Sequence, residues 1–170
     1  MCAGQGRDVV DALKVHPRGL DVTARLVESD PEIAEQARSR ASSAGLSSLD
    51  VRVGDAGLAD SYRGAVPADV LVVCGVFGNL TPEDITRTIS MLPSLSAPGA
   101  HVIWTRHRRP PDLTGAIRDT FGRRGFVEVD FVAPEPWLFT VGTHRLLRRP
   151  DPFNAGARLF TFVGDGFRPA

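Results

Sequence analysis

Cysteine and lysine are both scarce in this sequence. Of its 170 residues only Cys2 and Cys74 carry a thiol, and Lys14 is the single lysine. The two cysteines lie far apart and lack the paired spacing of a disulfide framework or of a zinc site. The sequence therefore predicts a reduced, cytoplasmic protein without a structural metal.

A surplus of charge and a long apolar run are also absent. The chain has 20 basic and 20 acidic residues and a formal net charge of +0, so no overall field attracts nucleic acid or an anionic membrane. The longest apolar run, Val70 to Phe77, is far shorter than the ~20 residues of a membrane span. No charged leader followed by an apolar stretch opens the sequence, so we predict no export signal. The length and the 42% apolar composition suit one domain with an ordinary core.

Residues 21–45 show the clearest local pattern. An apolar run ends at Val27, and the turn after it leads to Asp30, a favourable helix N-cap, and to Pro31, which suits the first helical position. Gly45 tolerates the left-handed conformation that commonly ends a helix. The pattern predicts a strand, a turn and a helix whose apolar stripe contains Ile33, Ala34, Ala37, Ala41 and Ala44.

The alternation of strand and helix continues along the chain. Further strands are predicted at Leu49–Val53, Ala68–Cys74, His101–Thr105, Phe126–Val132 and Phe139–Leu146. One further helix is predicted to run through Val9, Val10 and Leu13 and to end before Pro17, a second to run from Thr81 until Pro93, and a third to run from about Asp112 to Gly122. The almost continuous apolar run at Ala68–Cys74 is typical of a strand that is buried on both faces. The fold class is therefore α/β, with an open, mostly parallel sheet, helices on both faces and an antiparallel hairpin at the C-terminal end. We expect one domain over residues 1–149 and a tail over residues 150–170 with a possible strand at Arg158–Val163.

Three loops carry glycine or a carboxylate at positions suited to ligand binding. Gly4 and Gly6 precede the first helix, where a missing side chain lets the backbone approach a ligand. Glu28 ends the next strand, 22 positions after Gly6, which matches the spacing between a glycine loop and the ribose-binding acid of a nucleotide-binding unit. Asp55 follows the next strand, where a carboxylate can accept the exocyclic amine of adenine. Each feature alone also has an ordinary reading, as a helix-initiating turn, a solvated acid or an Asp turn.

The order of these three loops resembles that of class I S-adenosylmethionine-dependent methyltransferases, which have a Rossmann-like fold. The resemblance spans roughly Met1 to Leu146. It implies that the glycine loop lies under the methionine part of S-adenosylmethionine, that the first acid binds ribose and that the second addresses adenine. The implied cofactor-binding residues are Ala3, Gly4, Gln5, Gly6, Glu28, Ser29, Asp55, Ala56, Cys74 and Gly75.

Two departures from the family pattern lie at the start of the chain. Cys2 stands where the family usually has a third glycine, and the acid that usually begins the loop would fall before Met1. So would the family's first strand, which lies in the middle of its sheet. We therefore expect Met1 to be an internal methionine of a longer natural chain or a misplaced start. Residues 1–170 alone are expected to be marginally stable or to recruit another strand.

The resemblance also places a methyl acceptor over the ends of two later strands. His107 is the candidate general base because an imidazole titrates near neutral pH. The candidate substrate-binding residues are Asn79, Arg106 and Trp137. Arg106 belongs to a predicted cationic loop with two further arginines. The alternatives are a turn role for Asn79, a solvated cation for Arg106 and ordinary packing for Trp137. Gly75–Asn79 lacks the paired prolines and aromatic residue that mark methyltransferases acting on base amines. The predicted partner is therefore a small-molecule acceptor, with no nucleic acid, membrane or metal involved.

Two other functions stay open at this point. A nicotinamide-dependent dehydrogenase of the same fold class needs a third Gly or Ala in its glycine loop, where this chain has Arg7, Asp8 and Val9. The second alternative is a non-catalytic or vestigial domain that has lost its acceptor site. Ligand binding, rather than composition, separates these three possibilities.

Overall fold

The structure of this chain is a computed structural model in which residues 1–163 are described. The chain divides into two compact units: the N-terminal unit comprises residues 1–56 and 61–65, and the C-terminal unit comprises residues 57–60 and the chain from Val66 onward. Each unit has its own sheet. Within residues 1–163, no helix combines the length and the apolar character needed to cross a membrane.

The N-terminal unit contains two helices and a pair of parallel strands. They are α1 (Arg7–Val15), β1 (Ala24–Glu28), α2 (Pro31–Ser43) and β2 (Leu49–Val53). The carbonyl of Glu28 accepts from the amide of Gly54 at the end of β2, whereas the carbonyl of Val27 accepts from the amide of Ala3, both at 2.9 Å. Since successive carbonyls of a strand point to opposite sides, the residues before the glycine loop lie along the second edge of β1.

Helix α2 begins as the sequence predicts. Asp30 Oδ1 accepts hydrogen bonds from the amides of Glu32 and Ile33, at 2.8 and 3.2 Å, and Pro31 occupies the first turn. These bonds satisfy amides that have no partner within the helix. The predicted stripe is confirmed at its centre, where Ala34, Ala37 and Ala41 are buried; Ile33 and Ala44 are only half-buried.

In its described residues, the C-terminal unit contains a four-stranded sheet and two α-helices. They are β3 (Ala68–Val73), α3 (Pro82–Met91), β4 (Ser96–His107), α4 (Thr114–Arg123), β5 (Phe126–Val132) and β6 (Phe139–Leu146). The strand order is β3-β4-β6-β5; β3 and β4 are parallel, and β6 is antiparallel to both of its neighbours. Three strands therefore run in one direction and only β6 opposes them, which confirms the predicted C-terminal hairpin.

Two strand predictions need correction. β3 is not buried on both faces, because Asp69 is exposed and Val70 is 52% exposed; in this sheet only the β4 edge of β3 is paired. β4 begins at Ser96 rather than at His101. The pairing with β3 shifts register between Ala68 and Val70, so β4 includes residues 96–100, which lie outside the predicted strand.

The tail prediction is also partly wrong. Arg158–Val163 is not a strand; Arg158 forms one isolated bridge with Leu58. Leu159 and Phe160 are nevertheless completely buried, because the segment is packed against the C-terminal unit rather than paired along a sheet edge. Residues 151–163 are called the C-terminal strap below. The rest of the predicted tail, residues 164–170, lies outside the described residues, and the proposed boundary at residue 149 stays a prediction.

Candidate functional site

The two glycines of the first loop have different structural roles. Both adopt positive φ, +53° at Gly4 and +68° at Gly6, a region that side chains disfavour. A Cβ on Gly6 would lie 2.9 Å from Leu26 Cδ2 and 3.5 Å from Ala37 Cβ, whereas a Cβ on Gly4 would meet nothing within 4 Å. Gly6 therefore allows the loop to pack closely on β1 and α2, and Gly4 borders open space.

Glu28 joins this loop to the end of β1. Its Oε2 accepts a hydrogen bond from the amide of Gly4 at 2.8 Å. Its Oε1 accepts from the amides of Ser29 and Asp30 at 2.8 and 3.1 Å and from Ser29 Oγ at 3.3 Å. The structure thus brings the glycine loop and the predicted ribose acid into direct contact. Because Oε1 already receives three donors, Oε2 is the oxygen with capacity for one more.

The turn after β2 is held by two side chains from residues 61–65. Ser61 Oγ donates to the carbonyl of Asp55 at 2.6 Å, and the phenol of Tyr62 donates to the carbonyl of Ala56 at 2.7 Å. Burial raises the pKa of Tyr62 well above its usual value, with Cys2 and Asp55 acting in the same direction. Neither anchoring residue was predicted from the sequence, because neither carries a recognisable local signal.

Cys2 lies near the acids of two different motifs. Burial raises the pKa of its thiol from 9.0 to about 11; the positive amino terminus opposes this effect, and the carboxylates of Glu28 and Asp55 reinforce it. Cys2 also has φ +50°, the conformation that a glycine adopts without strain. It therefore occupies a glycine-like position in the loop, with both predicted nucleoside-binding acids in its surroundings.

In the C-terminal unit, the segment after β3 is fixed by internal hydrogen bonds. The amide of Gly75 donates to Thr105 Oγ1 at 2.9 Å, and Asn79 Nδ2 donates to the carbonyl of Gly75 at 2.8 Å. The Asn79 side chain thus stabilises its own turn, and its predicted contact with the acceptor stays a prediction. Cys74 is half-buried, and its predicted contact with a cofactor, like that of Gly75, stays a prediction.

Arg106 is not the solvated loop cation of the alternative reading, and its predicted contact with the acceptor stays a prediction. It lies inside β4, is 7% exposed, and donates through Nη1 to the carbonyl of Phe77. Burial lowers the pKa of its guanidinium, although Asp112 acts in the opposite direction. Arg108 donates to Glu135 Oε1 at 3.1 Å and to the carbonyl of Trp137 at 2.8 Å. These arginines therefore hold neighbouring loops in place.

The remaining acceptor candidates lie on different elements of the C-terminal unit. His107 is the last residue of β4, and its Nδ1 is buried without a hydrogen-bond partner in the described residues. Trp137 lies in the loop between β5 and β6 and is 62% exposed. The catalytic role of His107 and the substrate contact of Trp137 stay predictions.

An open groove of ≈ 690 Å³ lies between α1 and α2. Its lining mixes acids and bases and includes Gln5, but it contains neither Gly4 nor Glu28. The groove is therefore separate from the cluster formed by the glycine loop and Glu28. In residues 1–163, no group of three or more His, Cys, Asp or Glu side chains is placed to hold a metal ion.

Comparisons with known proteins identify the fold. No family model matches the sequence, and no curated protein matches it. Solved structures do match. An O-methyltransferase family protein from Burkholderia thailandensis has a TM-score of 0.69 and 15% identity over 85% of this chain and 49% of its own. Fibrillarin from Aeropyrum pernix, with bound S-adenosylmethionine, has a TM-score of 0.65 and 16% identity over 85% of this chain and 64% of its own.

A third similar structure covers more of both chains. It is an RNA methyltransferase from Salinibacter ruber in complex with S-adenosylhomocysteine, with a TM-score of 0.57 and 20% identity over 90% of this chain and 82% of its own. By contrast, this chain spans about half the length of the Burkholderia protein. At these low identities the similarity concerns architecture, and it confirms the fold predicted from the three loops. The chain has the fold of the class I S-adenosylmethionine-dependent methyltransferases.

Proposed function

We infer that this protein transfers a methyl group from S-adenosylmethionine to a small-molecule acceptor. The observation that carries the proposal is the hydrogen bond from the Gly4 amide to Glu28 Oε2. It joins a glycine loop bordering open space to the acid at the end of the next strand. This is the combination that a bound nucleoside requires at the carboxyl ends of parallel strands.

The N-terminal unit supplies groups that suit the adenosyl part of the cofactor. Glu28 Oε2 has capacity to accept a ribose hydroxyl, because a carboxylate oxygen can accept more than one hydrogen bond and the amide of Gly4 occupies one direction of approach. The carbonyls of Asp55 and Ala56 accept hydrogen bonds from Ser61 and Tyr62. These bonds fix the backbone of the turn from which Asp55 is proposed to address the adenine edge. The cofactor itself supplies a methyl group on a positively charged sulfur, so the protein's task is to orient and desolvate the reactants.

We assign the acceptor to the C-terminal unit. The ends of β3 and β4 carry the segment Gly75–Asn79 and His107, which is proposed to take the proton from an acceptor hydroxyl or amine. Arg106 supports this region indirectly, by holding the carbonyl of Phe77. A small-molecule acceptor accords with the formal net charge of +0, which provides no overall attraction for nucleic acid.

A thermal-shift titration with S-adenosylhomocysteine and with NAD tests the cofactor. S-adenosylhomocysteine is expected to raise the melting temperature, because a ligand that binds only the folded state stabilises it. Stabilisation by NAD alone would instead support a dehydrogenase. An unchanged melting temperature with both ligands would contradict the proposal and favour a non-catalytic domain.

Titration calorimetry with S-adenosylhomocysteine on the variant Glu28→Gln then tests whether Glu28 binds the cofactor. Removal of the charged acceptor should weaken S-adenosylhomocysteine binding by about 1.5 to 3 kcal/mol, roughly 10- to 150-fold. Glu35→Gln is the matched control, since Glu35 is an exposed acid of α2 that is paired with Arg38 at 2.9 Å. Equal affinities of the two variants would remove Glu28 from the site.

A further inference from the structure

The C-terminal strap is firmly attached to the C-terminal unit. Its early part is paired with residues 57–60: Leu159 donates its amide to the carbonyl of Gly57 at 2.8 Å, and Ala59 donates its amide to the carbonyl of Ala157 at 3.0 Å. Leu159 is also completely buried. The strap is therefore part of the folded unit, and its course is determined by specific contacts.

The strap then runs along α3. Thr88 Oγ1 donates to the carbonyl of Leu159 at 3.1 Å, and the amide of Thr161 donates to Asp84 Oδ2 at 3.1 Å. Asp84 is 8% exposed, and its other oxygen pairs with Arg87 at 2.6 Å. A largely buried carboxylate thus holds the strap backbone. This hydrogen bond is a strong one, because a charged acceptor binds an amide more tightly than a neutral acceptor does.

The described part of the strap ends at the segment that follows β3. The amide of Val163 donates to the carbonyl of Asn79 at 3.0 Å. In the same segment, a Cβ on Gly78 would lie 3.4 Å from His107 Cδ2. The end of the strap and the candidate general base are therefore both adjacent to residues 78–79.

Two apolar side chains at this end are left accessible. Phe162 is 41% exposed and Val163 is 58% exposed, and the Phe162 ring lies 5.3 Å from the buried ring of Phe160. The Phe160 contact restricts the Phe162 ring, so less side-chain freedom is lost when a ligand binds. Small-molecule sites are lined by apolar and aromatic side chains together with a few polar groups that fix the ligand's orientation, and both kinds of group occur around residues 78–79.

We propose that Phe162 and Val163 form an apolar wall of the acceptor site and select an acceptor that carries its methylated group on an aromatic ring. The inference rests on the proposed function, because it assigns the acceptor to the surroundings of His107. An aromatic ring of the acceptor packs on Phe162 in a stacked or edge-to-face arrangement, and its hydroxyl or amine lies toward the imidazole of His107. An acceptor without such a ring gains little from this wall.

The probe for this proposal is 1-naphthol, a fluorescent aromatic alcohol, titrated in the presence of saturating S-adenosylhomocysteine. The wild-type protein is expected to bind it, and Phe162→Ala to bind it about three- to tenfold more weakly, since aromatic pairs contribute on this scale. Phenol should displace the probe at concentrations at which cyclohexanol does not. Absence of wild-type binding, or equal displacement by the two alcohols, would overturn the proposal.

Two matched valine variants show whether a loss of 1-naphthol binding is specific to the strap or follows from any exposed valine substitution. Val163→Ser should weaken 1-naphthol binding, whereas Val129→Ser, at a β5 valine that is 54% exposed, should leave it unchanged. All variants are expected to keep the wild-type affinity for S-adenosylhomocysteine. Equal naphthol affinities of Val163→Ser and Val129→Ser contradict the apolar wall, whereas a wild-type protein that fails to bind S-adenosylhomocysteine contradicts the proposed function itself.

Discussion

The indole Nε1 of Trp104 donates a hydrogen bond to His144 Nδ1, 3.1 Å away in the core of the C-terminal unit. The imidazole is 1% exposed and stacks on Phe121 with ring centroids 4.3 Å apart. Because Nδ1 accepts this bond, the neutral ring carries its proton on Nε2, which lies 3.7 Å from Glu128 Oε2. Protonation of His144 would place a second hydrogen between Nδ1 and the indole, so the fold favours the neutral form.

The first prediction is a loss of stability in mild acid. Burial lowers the pKa of His144 from 6.5 to about 4; Glu128 opposes this shift, and Arg118 adds to it. The unfolded chain therefore binds the proton more readily than the folded protein. The contribution of His144 to the free energy of unfolding is present above pH 6.5 and is lost as the pH falls toward 4. The loss amounts to roughly 3 kcal/mol at most. Urea unfolding at pH 7.5, 6, 5 and 4.5 measures it.

The variant His144→Gln provides the control for this prediction. Gln keeps a polar side chain but does not titrate, so its free energy of unfolding should vary less than that of the wild type between pH 7.5 and 4.5. The depressed pKa values of Glu128, Asp112 and Asp151 cost stability from about pH 5 downward. Because both proteins carry these carboxylates, the difference between their pH profiles reports His144. Parallel pH profiles of the two proteins would show that His144 is not the source.

The second prediction concerns Gly142, which lies opposite Trp104 in the β4–β6 pair. A Cβ on Gly142 would lie 2.3 Å from Trp104 Cε2, and Trp104 is completely buried. Gly142→Ala should therefore destabilise the protein by about 1 to 3 kcal/mol or more, as overpacking of a core does. Chemical denaturation measures the change, and near-ultraviolet circular dichroism reports the displaced indole.

Gly115→Ala is the matched substitution in the same unit. Gly115 lies in α4, and a Cβ there would meet nothing within 4 Å. Alanine should stabilise the helix by about 0.4 to 1 kcal/mol, because glycine loses more backbone freedom on folding. If the two substitutions change the free energy of unfolding alike, the indole of Trp104 does not prevent a side chain at position 142.

Much of the fold is predictable because its signals are local. The bounds of β2, β5 and β6 are those expected from the sequence, and α2 begins at the predicted Asp30 cap. These features depend on residues within a few positions of one another, where capping and hydrophobic periodicity operate. The start of β4 was not predicted, since it depends on a register shift in its pairing with β3.

The candidate site is less predictable because its contacts are long-range. The order of the glycine loop and Glu28 suggested that they share a ligand, but the sequence gives no sign that the Gly4 amide binds Glu28 directly. Arg106 resembles a solvated cation because arginines surround it, yet its partner is the carbonyl of Phe77, 29 positions away. The sequence does not reveal that Arg106 is buried, because burial is set by the fold around a residue.

The third prediction tests the assembly of the N-terminal site without any ligand. The pKa of Cys2 is raised from 9.0 to about 11, so at pH 7.5 its thiolate population should be roughly 100-fold lower than that of an unperturbed thiol. Alkylation by iodoacetamide requires the thiolate. Mass spectrometry of the peptide containing Cys2 should therefore show slow modification in the folded protein and fast modification in urea.

Substitution of either neighbouring acid should accelerate this reaction. Glu28→Gln and Asp55→Asn each remove a negative charge that disfavours the thiolate, so both should raise the alkylation rate at pH 7.5, whereas Glu35→Gln should not. Melting curves must first establish that each variant is folded at the reaction temperature, since unfolding also exposes the thiol. If only one acid affects the rate, Glu28 and Asp55 do not share the surroundings of Cys2. In that case, the grouping of ribose and adenine acids on which the cofactor site depends is wrong.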